Sequence, residues 1–302
     1  MSEMTLGLDL SDLGARIVVV DDSAKVRSRA ELSATAAGHL ATGVREAARR
    51  AIAGAKGKLS GIAVALPQAG ETVPGDIASA LADVSKGAPL PVAVAAGHAA
   101  AMAEQWCGAA RGITEVVTFA IGEHVTAGVL INGEPWLGAH GLAGAVGWLA
   151  LNPVEREDYR RYGGLEAEVA AAGIVRRLVW RIKSGDRSSV ADHVGGDLSR
   201  LIAEDVLRGA RVGDGVCISV MRDTAKYVGM AVANLATMFD PEAVVLGGVL
   251  ASSGDIMLEA IRVEAARRLR PAQADRVRIV LSTLGPDAVA IGAARAAMRA
   301  RA

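Results

Sequence analysis

The feature that most constrains this chain is a repeated opening. A strand–turn–strand pattern, followed by helices alternating with short apolar strands, occurs twice in 302 residues. The first copy begins "MTLGLDLSDLGARIVVVDD", which reads as strands at 5–10 and 15–20 around a polar, glycine-containing turn. Helical spacing follows, with Leu40, Val44, Ala47, Ala48, Ala51 and Ile52 on one face. "GIAVAL" is a buried strand stopped by Pro67, and "PVAVAA" is another after an intervening helix. The second copy begins "TEVVTFAIG" and "TAGVLINGEPWLG", the latter turning at Asn132 and Gly133. Helical stretches at 165–183, 197–209 and 216–238 come next. The strand "PEAVVLGGV", a helix at 256–269, the strand "RVRIVLS" and a final helix at 288–302 complete the chain. This repetition predicts a duplicated α/β fold with two lobes, residues 1–112 and 113–287, and a central cleft with ligands at strand ends.

Composition narrows the function classes. Apolar residues make up 51% and aromatics only 3%, so the core must be built from Ala, Val, Leu and Ile. The 33 basic and 33 acidic residues cancel, which argues against nucleic acid as the main partner. The start "MSEMTLGLDL" shows no basic leader before a hydrophobic run, and no apolar run reaches the roughly 18 residues of a membrane span. A cytoplasmic protein without a membrane partner is expected. Cys107 and Cys217 form no metal-spaced pair and read as reduced, buried thiols.

One corner of the chain poses the functional question. "PVAVAAGHAAAMAEQW" is a short strand running into a small-residue helix, a place where α/β enzymes keep a catalytic carboxylate. Yet no Asp occurs between Asp83 and Asp158.

Over almost its whole length the chain resembles the ROK family (repressor, open reading frame, kinase) of the sugar kinase/actin/heat-shock superfamily. The residues that carry the resemblance are "GLDL", "GLAGAVGW", "GGLEAEVAAAGI", "NLATMFDPEAVVLGG" and "LGPDAVAIGAARAA". It implies an actin-like, ribonuclease H-like duplicated fold in which the last helix, 288–302, returns to the first lobe. Its small-residue face of Ala290, Ala293, Ala294 and Ala297 suits close packing. Because "GLDL" begins at residue 7, the helix-turn-helix of family repressors is not expected ahead of it. Family kinases phosphorylate a hexose or amino-hexose with ATP and Mg²⁺. An Asp of an Asn-Asp pair acts as base, and two Gly/Thr-rich hairpin turns hold the phosphates.

Against that pattern the chain reads as degenerate. Ala95 and Ala96 stand where Asn and Asp belong, removing a base that contributes typically about 10²–10⁴-fold. His98 is a substitute base or sugar contact, or simply a helix-start histidine with its ring in the cleft or on the surface. The first phosphate turn reads "DLSDLG": Asp9 survives, but Ser11, Asp12 and Leu13 replace the glycines and threonine. The second, "GEHVT", keeps only Gly122. Glu123 adds an anion where phosphates belong, or an unconventional base, and His124 fills a glycine position. "AGAVGW" puts Ala145 and Trp148 at the family's sugar-binding Glu and His. Trp148 either stacks on a sugar or plugs an abandoned cavity. Glu166 matches the last sugar-contacting Glu. Gly247 and Gly248 match the adenosine-side glycines, or merely permit a strand–helix turn. "EDYRRYGG" holds no Cys or His where the family often binds zinc, so no zinc is expected.

The leading reading is therefore a non-catalytic, kinase-like protein that binds a sugar-like ligand or a partner. The alternatives are a hexose or amino-hexose kinase using ATP and Mg²⁺ with a non-standard base, and a different enzyme in the reused cleft. The resemblance also implies a homodimer, to which the apolar "WLGAHGLAGAVGW" stretch is a candidate contributor.

Overall fold

The computed structural model describes residues 3–11, 14–33, 40–85 and 87–301. The elements run β1 (Glu3–Ser11), β2 (Gly14–Asp21), β3 (Val26–Ser33), α1 (Leu40–Ala55), β4 (Lys58–Leu66), α2 (Gly75–Ser85), β5 (Val92–Ala95) and α3 (Ala96–Cys107). Then come β6 (Val116–Ile121), β7 (Val125–Ile131), β8 (Glu134–Pro135), α4 (Glu157–Tyr162), α5 (Gly164–Val169), α6 (Ala171–Lys183), α7 (Ser189–His193), α8 (Ala203–Arg211) and α9 (Gly215–Phe239). The chain closes with β9 (Ala243–Gly248), α10 (Val249–Ser252), α11 (Gly254–Ala266), α12 (Pro271–Ala274), β10 (Arg278–Leu281) and α13 (Ala288–Arg299).

Among the described residues there are two five-stranded sheets, ordered β3-β2-β1-β4-β5 and β10-β9-β6-β7-β8. In the first, β1 to β3 form an antiparallel meander, and β1, β4 and β5 run parallel. The chain divides into two compact units, residues 1–118 with 126–144 and 282–302, and residues 119–125 with 145–281. The division thus assigns residues 113–118 and 126–144, which follow the expected 112/113 boundary, to the first unit.

In the first unit, β1 is buried along both faces, because helices cover both sides of its sheet. On one side Leu6, Leu8, Ile17, Ile62 and Val64 pack with Val44 of α1 and Leu81 of α2. On the other, Val18 and Val20 meet Ala103 of α3 and Ala290, Ile291 and Ala294 of α13. Ala293 and Ala297 of α13 are buried too, so the alanine face allows close approach to β1, β4 and α3.

The opening is three strands, not the two-stranded hairpin expected. β3, "VRSRAELS", alternates half-buried Val26, Ser28, Ala30 and Leu32 with exposed Arg27, Arg29, Glu31 and Ser33. Such charged alternation is what an edge strand needs to avoid pairing with another chain.

In the second unit the long helix α9 starts where its sequence pattern says. Asp214 caps it, accepting from the amides of Val216 and Cys217 at 3.0 Å each. The helix expected at 165–183 is broken. Ala170 is extended (ψ 161°), and the Ala171 amide donates instead to Gly122 O at 3.0 Å. The stretch expected as one helix at 197–209 likewise splits, and α8 begins only at Ala203 after a short turn at Leu198–Arg200. The hairpin at Asn132 and Gly133 forms as expected, both residues having positive φ, and pairs Ile131 with Glu134.

Candidate functional site

The candidate residues fall into two groups, one in each unit. In the first unit, β5 ends at Ala95 and α3 starts immediately at Ala96, whose methyl is buried. The helix start is pressed against β7. A Cβ at Gly97 would lie 2.0 Å from Ala127 O, and one at Gly128 would lie 2.0 Å from Gly97 O. Thr118 Oγ1 donates to Gly97 O at 2.9 Å. The corner that opened the functional question is therefore built tightly, with no carboxylate at the position that faces it in sequence.

His98 is wholly buried, neither on the surface nor solvent-exposed in a cleft. Its Nε2 lies 2.9 Å from the carbonyl oxygen of Trp136. A carbonyl only accepts, so Nε2 carries the proton. That leaves Nδ1 as the basic nitrogen, and Nδ1 is buried without a hydrogen-bond partner. Burial pushes the imidazole pKa below its ordinary value, outweighing the carbonyl's opposite effect. The ring is a buried packing group.

Asp9 lies on β1 opposite Arg16 of β2. Burial raises its carboxyl to about 6, and the Arg16 charge offsets this only in part. Arg16 is itself engaged by Glu31 and Asp287. Ser11 and Gly14 pair across the turn, with Ser11 Oγ donating to Gly14 O at 3.5 Å. Asp12 and Leu13 lie outside the described residues.

In the second unit the β6–β7 turn and α5 are joined. The Gly122 amide donates to His124 O at 3.0 Å, closing the turn. His124 Nδ1 lies 3.0 Å from Glu166 Oε1, and the Val125 amide donates to Glu166 Oε2 at 3.0 Å. Glu166, His124 and Glu123 line a pocket of about 290 Å³ with Tyr162 and Arg176. Trp148 is not among the residues that line this pocket. It is 59% exposed, so it does not plug a cavity.

Gly247 and Gly248 end β9 beside β6. Gly248 has φ +61°, and a Cβ there would sit 2.1 Å from Ile121 O. A Cβ at Gly247 would come 3.3 Å from that of Ala120. The glycine at 248 is thus demanded by strand packing alone, whether or not a nucleotide approaches.

The ROK family model matches residues 5–300. The chain belongs to the ROK family. This ROK protein is 32% identical to a glucokinase of Halalkalibacterium halodurans over 198 residues, covering 64% of the chain and 59% of that protein. It is 28% identical over 203 residues to a xylose repressor of Caldicellulosiruptor bescii, covering 65% of the chain and 49% of the repressor. The matches thus span about half to three-fifths of those relatives. A ROK family glucokinase from Streptomyces griseus, solved with glucose and AMPPNP, superposes with a TM-score of 0.79 at 23% identity, covering 98% of this chain and 99% of that one. The fold is accordingly the actin-like ATPase fold of ROK sugar kinases.

The residues at the family's zinc segment do not fit zinc. Glu157–Tyr162 is helix α4, and its Asp158 is bound by Arg156 through Nε at 3.1 Å and Nη2 at 2.6 Å. Among the described residues no group of three or more His, Cys, Asp or Glu is placed to hold a metal. In the second turn the hydrogen-bonded His124–Glu166 pair stands beside Gly122. Among the described residues no helix is long and apolar enough to cross a membrane.

The pairing of His124 with Glu166 was not legible in the sequence. Residue types flagged both positions separately, but nothing in their spacing joins a hairpin turn to a helix in the following segment. The same holds for Tyr162 and Arg176, which complete the pocket.

Proposed function

We propose that this ROK protein binds a sugar-like ligand without phosphorylating it. One observation carries the reading, the pairing of Glu166 with His124. By the family resemblance Glu166 is the carboxylate that grips sugar hydroxyls, and His124 replaces a phosphate-turn glycine. Here the two are hydrogen-bonded, so the hairpin that would cradle phosphate is committed to holding the sugar residue in place. Each Glu166 oxygen has a second lone pair, so the carboxylate can still accept hydroxyl hydrogen bonds from a ligand in its pocket.

The rest of the kinase machinery points the same way. Ala96 offers a methyl where a base would take the hydroxyl proton. Glu123 lines the Glu166 pocket, adding negative charge where phosphoryl transfer calls for neutralisation. A homodimer in the cytoplasm is the proposed assembly. Exposed Trp136, Leu137 and Leu142 in one loop are its candidate contributors. A monomer by light scattering at micromolar concentration would count against it.

The second reading is an ATP-dependent hexose or amino-hexose kinase with a non-standard base. The presence of Glu123 in the same pocket as Glu166 favours that over His98. Calorimetric titration with glucose, mannose, N-acetylglucosamine and N-acetylmannosamine tests the first reading. At least one should bind, and Glu166→Gln should weaken it about tenfold or more. Tight sugar binding unaffected by Glu166→Gln would show that the ligand lies elsewhere.

A further inference from the structure

The second unit holds another, larger pocket of about 760 Å³, walled by α6 and α9 and the segment ahead of α4. Its charges are unevenly satisfied. Arg156 Nη1 donates to Glu168 Oε1 at 2.9 Å, and Tyr159 Oη donates to the same oxygen at 2.5 Å. Arg176 is held by Asp158 and by Ala167 O at 2.7 Å. Arg177 differs. Its Nη2 donates to Thr224 Oγ1, but its Nε and Nη1 are buried with no hydrogen-bond partner. Glu168 Oε2 stands 4.0 Å from that Nε, beyond hydrogen-bond reach.

A buried guanidinium with unfilled donors is costly, and it is the kind of group that an anion satisfies. On the pocket wall Arg156, Arg176, Arg177 and Lys226 outnumber Glu168 and Asp223. The same wall offers flat faces. Trp180 is 66% exposed at the pocket, and Tyr227 lines it. Asn152 uses its Oδ1 on the Val154 amide at 3.0 Å, which leaves its amide hydrogens for a ligand. Aromatic faces beside amide and carboxylate groups suit a hydroxylated ring, and the cationic floor suits an acid group on it.

We propose that this pocket is a second ligand site for an acidic sugar, a hexose ring bearing a phosphate or a carboxylate. The anion draws the Arg177 guanidinium, whose Nε and Nη1 are closed to solvent here, toward the pocket, and Trp180 and Tyr227 flank the ring. The site shares the Arg176 wall with the Glu166 pocket but is otherwise lined by different residues, and it does not rest on the absence of kinase activity.

Calorimetry on the full chain at fixed ionic strength tests it with glucose 6-phosphate, glucuronate, glucose and inorganic phosphate. At least one acidic sugar should bind ten times more tightly than both glucose and phosphate at this site. Which of the two binds identifies the acid group. Arg177→Gln should weaken that binding tenfold or more, Trp180→Ala several-fold, and Glu166→Gln not at all. If Arg177→Gln does not fold, the exposed Trp180→Ala decides. Failure of both acidic sugars to bind would overturn the proposal. So would phosphate binding as tightly as the sugar acid, or loss of binding in Glu166→Gln alone. Loss of binding in Trp180→Ala accompanied by a change of oligomeric state would mark the pocket as an interface and overturn it too.

Discussion

His124 Nδ1 and Glu166 Oε1 lie 3.0 Å apart, although 42 residues separate them in the chain. The contact ties the β6–β7 turn to α5, and the Val125 amide reinforces it at 3.0 Å. Both side chains are partly exposed, so the pair is expected to add only about 1 kcal/mol of stability. Urea melts of His124→Ala, Glu166→Ala and the double variant measure that coupling directly. A coupling near zero would mean that the turn and α5 are not joined in solution.

Asp9 gives a pH signature of opposite sign to that of a salt-bridged carboxylate. Burial raises its folded-state value to about 6 from 3.8, so the folded protein binds the proton more tightly than the unfolded chain does. Stability from this group is present in acid and lost as pH rises from about 4 to about 6. Asp9→Asn should therefore raise the melting temperature at pH 7.5 and leave it nearly unchanged at pH 4. Equal effects at both pH values would show that Asp9 is not held in a desolvating site.

Asp21 behaves in the ordinary way. Burial opposes its ionisation. Hydrogen bonds from Ser23 Oγ at 2.7 Å, Arg27 Nε at 2.6 Å, and the Lys25 and Ser23 amides at 3.1 and 2.9 Å outweigh that, lowering the carboxyl to about 2. Its contribution is present above about pH 4 and lost as pH falls through 2. Asp21→Asn should cost about 2 kcal/mol at pH 7 by chemical denaturation, and the cost should shrink toward zero below pH 2. A cost that does not change with pH would contradict this.

Gly248→Ala tests whether the glycine pair serves the fold. The substitution puts a Cβ 2.1 Å from Ile121 O at φ +61°. It should destabilise the nucleotide-free protein by at least about 2 kcal/mol. A variant as stable as the parent would return Gly248 to the role of a nucleotide-side residue only.

The sequence was most informative where one period ran unbroken. α9 is there almost end to end because apolar spacing and an Asp cap agree at its start. It was least informative where a long-range contact overrode local pattern. β3 is missing from the sequence expectation because only alternate side chains are half-buried at a sheet edge. The break at Ala170 depends on the Gly122 carbonyl, which no local window contains. In the candidate site the residue identities were legible, including Ala96 and the surviving Glu166. Their surroundings were not. His98 is buried with its Nε2 on the Trp136 carbonyl oxygen, and Trp148 is exposed at the end of the short turn Val146–Trp148.

The central claim is that this ROK protein has kept a sugar pocket and lost phosphoryl transfer. The most direct measurement is hexose-dependent ATP turnover by the purified parent chain and by Ala96→Asp, with glucose, mannose, N-acetylglucosamine and N-acetylmannosamine. The expected result is no turnover in either. A restored carboxylate could return about 10²–10⁴ in rate, but the second turn would still hold His124 and Glu123 where phosphate belongs. Misplaced phosphate forfeits orientation worth up to roughly 7–11 kcal/mol of barrier. Robust turnover by the parent would contradict the account outright. Turnover only in Ala96→Asp would show that the turns still hold phosphate and that the methyl of Ala96 alone silenced the enzyme.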